Sequence, residues 1–178
     1  MLRTILIYGL AGGVLVAVPM FSALAANPHG GFASSMVFGY LVMLLALSLI
    51  FVGVKRYRDR VLGGVIRFVP ALLMGLGISA VAGVIYAIGW EITLAATHYA
   101  FADTYAATMA DAARAKGGSP ADLARAMDQA AAFKIQYANP LYRLPMTFVE
   151  IFPVGVLISL ISAALLRNSR LLPAARPA

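Results

Sequence analysis

The chain contains no cysteine, which excludes disulfides and thiolate metal sites and leaves the redox compartment unreadable. Charge is scarce: 12% of residues are charged against 62% apolar, and the mean hydropathy is +0.87. Soluble domains do not have that balance. The only histidines, His29 and His98, are far apart and lack ligand spacing, so no zinc centre is expected. Neither a phosphate-binding glycine loop nor a nucleophile elbow is present, because Gly12-Gly13 and Gly63-Gly64 lack the strand context those motifs need. No aspartate lies in an apolar stretch, which removes membrane hydrolases built on paired aspartates. The expectation is a non-enzyme without cofactor or metal.

What the chain does have is four long apolar stretches, residues 5–26, 36–54, 68–92 and 144–166. A hydrocarbon layer ~30 Å thick takes roughly 20 helical residues at ~1.5 Å each. None of the stretches alternates like a barrel strand, and a lipid-facing backbone must satisfy its own polar groups, so helix is expected. The fold class is all-α: a four-transmembrane-helix bundle forming one integral membrane domain over 1–178. A helical segment outside the membrane, residues 93–143, separates helices 3 and 4.

Charge sets the orientation. Arg3, Lys55, Arg56, Arg58, Arg60, Arg67, Arg167, Arg170 and Arg176 fall on one side of such a bundle, offset only by Asp59. The other side mixes Arg114, Lys116, Arg125, Lys134 and Arg143 with Asp103, Asp111, Asp122 and Asp128. Positive-inside bias then puts both termini in the cytoplasm and 93–143 in the periplasm. The net charge of +7 is therefore read as topology, and no nucleic acid is expected. The basic stretch with Lys55, Arg56, Arg58 and Arg60 is expected as a loop on anionic lipid headgroups, each cation contributing about 1 kcal/mol. Met1-Leu2-Arg3 and the small residues Ala23-Leu24-Ala25 also suit a cleavable signal peptide. The apolar run is longer than the usual ~7–15 residues of one, which favours a retained helix.

Between spans 3 and 4, Phe101, Tyr105 and Met109 recur at helical spacing until Gly117-Gly118. Ser119-Pro120-Ala121-Asp122 then reads as a helix start, and Leu123, Met127, Ala130, Phe133 and Tyr137 continue at helical spacing up to Asn139-Pro140. This predicts a helical hairpin, its stripes serving as core or as a partner groove. Gly75, Ser79 and Gly83 on helix 3, and Gly155, Ser159 and Ala163 on helix 4, form smooth ridges. These join the two helices to each other, or two copies of the chain.

Two ionisable residues lie within the spans, Glu91 and Glu150. Intramembrane acids usually face the bundle interior and have partners. For Glu150 the candidates are Arg143, His98, Lys134, Tyr86, Thr147 and Glu91, with Pro153 opening the helix nearby. Glu91, Glu150, Arg143 and His98 are thus the candidate polar site. It either holds a proton or cation or serves packing alone.

Several stretches carry a resemblance in chain order. They are Tyr8-Gly9-Leu10, then Met36 to Tyr40, then Ile50 through Lys55-Arg56-Tyr57-Arg58-Asp59, and Gly63-Gly64-Val65-Ile66. Tyr86 through Trp90-Glu91, Asn139-Pro140, and Thr147-Phe148-Val149-Glu150 through Ser159 to Ala163 complete them. Together they resemble the bacterial integral membrane proteins of the domain-of-unknown-function family numbered 4199. The resemblance implies four membrane helices, a retained first helix and an extra-membrane helical segment before the fourth. It implies no activity and no site residues. Two functions are expected: an accessory, assembly or envelope-maintenance component of the inner membrane, or a small proton- or cation-linked transporter using the two glutamates. The expected partners are lipids and either a second copy or another membrane protein.

Overall fold

A computed structural model describes residues 1–26, 36–115, 117 and 119–173, in which every regular element is helical. The expected turn at 27–31, with His29, lies outside these residues, as do Lys116, Gly118 and Arg176. The helices are α1 (Leu2–Ala26), α2 (Met36–Leu47), α3 (Leu49–Val61), α4 (Phe68–Ala96), α5 (Phe101–Ala115), α6 (Pro120–Ala138) and α7 (Pro140–Leu166). Four helical stretches are long and apolar enough to cross a membrane: Leu2–Ala23, Val37–Val61, Phe68–Ala96 and Pro140–Leu166.

Their limits differ from the sequence reading in instructive ways. The basic stretch after residue 54 is not a loop, because α3 carries it in helix to Val61. Lysine and arginine are good helix formers, so charge ends an apolar run without ending the helix. The second span is instead broken at Ser48, whose hydroxyl donates back to the carbonyl of Leu45 at 2.6 Å, a bond that tends to bend a helix. Likewise α4 runs on to Ala96, and α7 begins at Pro140, so Arg143 belongs to the last helix.

The helices sort into two compact units. The first contains Met1–Trp90 and Phe148–Ala178. Small residues let its helices approach closely. A Cβ on Gly13 of α1 would lie 2.6 Å from Ile85 of α4, and one on Gly155 of α7 would lie 2.6 Å from the Ser79 hydroxyl of α4. The expected ridges of α4 and α7 thus meet within the chain. Val16, Ile50, Met74, Ile78, Ala82 and Leu166 are buried in this unit, while Leu15, Leu45 and Leu157 are exposed. Apolar residues on both the inside and the outside suit helices that lipid surrounds.

The second unit is Glu91–Thr147. After α4 the backbone turns through left-handed His98 (φ 52°) and Tyr99 (φ 58°). Helices α5 and α6 pack through a closed group of four rings: Phe101 and Tyr105 on α5, Phe133 and Tyr137 on α6. Their neighbouring centroids are 5.0–5.8 Å apart, within the favourable range for aromatic pairs. Lys134 and Asp103 join the same two helices by an ion pair. The start of α6 is a capping box: Ser119 Oγ accepts from the Asp122 amide at 3.3 Å, and Asp122 Oδ2 accepts from the Ser119 amide at 3.1 Å.

Candidate functional site

Three polar centres stand out, and two of them are built around a buried arginine. In the second unit Arg143 lies one turn into α7, with its side chain 5% exposed. Its Nε donates to Glu91 Oε1 at 2.5 Å and its Nη2 to Glu91 Oε2 at 2.7 Å. This two-pronged match of guanidinium to carboxylate is the strongest ordinary side-chain pairing. The remaining nitrogen, Nη1, donates to the carbonyl of Tyr137 at 2.9 Å and reaches that of Ala138 at 3.4 Å. Both carbonyls lie at the C-terminal end of α6, where no amide of the same helix can satisfy them. The rings of Tyr99 and Tyr137 sit 5.3 and 5.9 Å from the guanidinium carbon, adding cation–π attraction. A single side chain therefore ties α4, α6 and α7 together.

The second centre lies in the first unit. Arg58 is completely buried. Its Nε donates to Asp59 Oδ1 at 2.7 Å, Nη1 to the carbonyls of Leu166 (3.4 Å) and Leu171 (3.1 Å), and Nη2 to that of Leu172 at 2.5 Å. These carbonyls are the open end of α7 and the turn that follows it. The guanidinium thus acts as a cap on the last span. Asp59 is shared with Lys55, whose Nζ donates to Oδ2 at 2.5 Å.

Of the four cations expected at lipid headgroups, Arg58 therefore faces inward, and Lys55 is half-buried and paired with Asp59. Arg56 and Arg60 are exposed.

The third centre is Glu150, on the exposed side of α7 with Met146, Val149, Pro153 and Leu157. Its carboxyl hydrogen-bonds with the Tyr86 hydroxyl of α4. That hydroxyl also lies 3.3 Å from the Met20 sulfur, and the Tyr86 ring stacks on Phe21 with centroids 5.1 Å apart. The four site residues of the sequence reading are thus divided. Glu91 and Arg143 form one ion pair, Glu150 takes Tyr86, and His98 is an exposed turn residue.

The spacing alone pointed neither to the aromatic and carbonyl partners of Arg143 nor to the burial of Arg58. Asp59, four residues after Lys55, was the one local hint of a neutralised centre.

No group of three or more metal-ligating side chains occurs among the described residues. The arrangement can hold helix ends in place, present a carboxyl on the flank of a membrane helix, and expose cations at the ends of spans. No curated protein and no solved structure matches the chain. Residues 6–168 match a protein family described as "Protein of unknown function (DUF4199)". With nearly its whole length covered, the chain belongs to that family; the matched region contains the Glu91–Arg143 pair and Arg58 with its Leu166 acceptor, while the further Arg58 acceptors Leu171 and Leu172 lie just beyond it.

Proposed function

We propose that the chain is a multi-pass protein of a bacterial inner membrane, with both termini cytoplasmic and α5 and α6 forming a periplasmic helical hairpin. In this reading it is a non-enzymatic accessory, assembly or envelope-maintenance component, acting through contacts with lipid and with other membrane proteins. The observation that carries it is the use made of the two buried guanidinium groups. Arg143 and Arg58 spend their hydrogen bonds on a carboxylate and on the carbonyls of helix ends within their own unit. Groups so engaged rigidify a fold and fix helix ends.

A carrier reading keeps one specific support. Glu150 stands on the exposed side of α7 three residues before Pro153, and its carboxyl hydrogen-bonds with the Tyr86 hydroxyl. A carboxyl at such a place can exchange a proton or a small cation. The two readings separate in vesicles that contain a pH-reporting dye. The component reading expects no proton flux under an imposed potential, with Glu150→Gln indistinguishable from wild type. The carrier reading expects flux that Glu150→Gln abolishes while insertion and helix content stay unchanged.

A further inference from the structure

The exposed cations of the first unit converge on one end of it. Arg3 opens α1, Arg56 and Arg60 lie in the last two turns of α3, Arg67 directly precedes α4, and Arg167 and Arg170 follow α7. All six are exposed. Contacts within the unit bring these segments together: Arg56 reaches the Tyr8 hydroxyl of α1 at 3.5 Å, and the Gly64 amide before α4 donates to the Arg58 carbonyl at 2.9 Å. Arg58 itself holds Leu166, Leu171 and Leu172. The only acidic side chain at this end among the described residues is Asp59, and Lys55 and Arg58 already neutralise it. Six cations are left without a balancing carboxylate. Interleaved with them are exposed Val61, Leu62, Val65 and Leu171.

We propose that this end of the bundle is a composite binding site for anionic phospholipid, assembled from α1, α3, the start of α4 and the tail after α7. Guanidinium groups pair with phosphate oxygens two at a time, and the interleaved aliphatic side chains enter the acyl boundary. That mixture of arginine with exposed aliphatics fits a lipid surface better than a nucleic acid, which would call for aromatic or polar neighbours. The site differs from a simple basic loop in two respects: its cations come from four separate segments, and it excludes Arg58. It rests on the reading that the spans cross a bilayer, but fails separately from it. A wrong bilayer reading removes the protein from the membrane fraction, whereas a wrong lipid site leaves insertion intact and removes only the preference for anionic lipid.

The test uses the full chain in mild detergent, titrated with phosphatidylglycerol or phosphatidylcholine, and native mass spectrometry to count retained lipid. Phosphatidylglycerol should be retained preferentially, and salt should weaken it. Arg56→Gln with Arg60→Gln, and separately Arg167→Gln with Arg170→Gln, should each lower that preference by about fivefold per cation removed. The corresponding lysine pairs should restore most of it. Arg114→Gln with Arg125→Gln, which removes the same charge from the second unit, should change nothing. Equal retention of the two lipids by the wild type would overturn the proposal, as would pair variants that bind like wild type while eluting and folding normally. So would displacement of phosphatidylglycerol by inorganic phosphate or an oligonucleotide at lower concentration than free lipid requires.

Discussion

The hydroxyl groups of Ser79 on α4 and Ser159 on α7 lie 3.2 Å apart, and each is also within hydrogen-bond reach of the carbonyl of a glycine one turn earlier on its own helix, so one hydroxyl donates across to the other while the second donates to its glycine. The glycines complete the arrangement in a crossed fashion. A Cβ on Gly75 would meet Ser159 at 2.8 Å, and one on Gly155 would meet Ser79. The two helices therefore touch through four small residues, where lipid gives no hydrophobic drive and close packing supplies the attraction.

This contact predicts an unequal response to substitution. Ser79→Ala should cost little, about 0.6 kcal/mol, since hydrogen bonds between membrane helices average near that value. Gly155→Val should cost about 1–3 kcal/mol, because its side chain must push α4 away. Unfolding in mixed detergent micelles, followed by helical circular dichroism, ranks the two. A larger loss for the serine would mean that the hydroxyl bridge, rather than the close approach, holds the pair.

Removing Arg143 should leave Glu91 without its guanidinium and the end of α6 without its cap. A fully buried pair loses about 3–5 kcal/mol when one partner is taken away. Glu91 keeps a 26% exposed side chain, so about 2 kcal/mol is expected for Arg143→Met. Glu91→Gln should cost less, because an amide can still accept from the guanidinium. A double-mutant cycle on the two positions should show coupling well above ~0.5 kcal/mol.

Arg58→Met should loosen the chain after Leu166, because three carbonyls of the last turn and tail lose their donor. Brief trypsin treatment of the variant should cut at Arg167 and Arg170 faster than in wild type, as seen by mass spectrometry. Arg58→Lys should also be cut faster, since an ammonium lacks the planar fork that reaches separate carbonyls.

In the second unit, Ser119→Ala removes the side chain that accepts from the Asp122 amide. A cap of this kind is worth about 1 kcal/mol. Hydrogen exchange in the first turn of α6 should accelerate by about fivefold, while exchange in α5 changes less.

Much of this architecture was legible because it depends on local pattern. Apolar runs mark spans, the four-residue spacing of Gly75 with Ser79 and of Gly155 with Ser159 marks a contact ridge, and Ser-Pro-Ala-Asp at 119–122 marks a helix start. The apolar pattern hides the end of α3 for a physical reason. Lys55, Arg56, Arg58 and Arg60 end the apolar run, but lysine and arginine favour helix, so the backbone continues to Val61. The roles of the two arginines were harder to see. The acceptors of Arg58 include backbone carbonyls 108 to 114 residues away, and a carbonyl leaves no trace in side-chain spacing. Glu91 and Arg143 were both recognisable as candidates, but their pairing spans 52 residues and depends on how α4 and α7 run together within the second unit. Glu150 was legible as an acid in a span, and its place on the exposed side of α7 was not, since flanking residues of similar hydropathy cover every face of that helix.

The absence of cysteine permits a direct test of the membrane arrangement. Arg60→Cys, at the arginine-rich end, and Arg114→Cys, near the end of α5, give single thiols on opposite sides of the proposed bilayer. Whole bacterial cells expressing each variant are treated with a membrane-impermeant maleimide, before and after the inner membrane is opened. R114C should be labelled in cells whose inner membrane is intact, and R60C only once it is opened. Labelling of R60C from outside intact cells, or protection of both thiols until the membrane is opened, would contradict that arrangement.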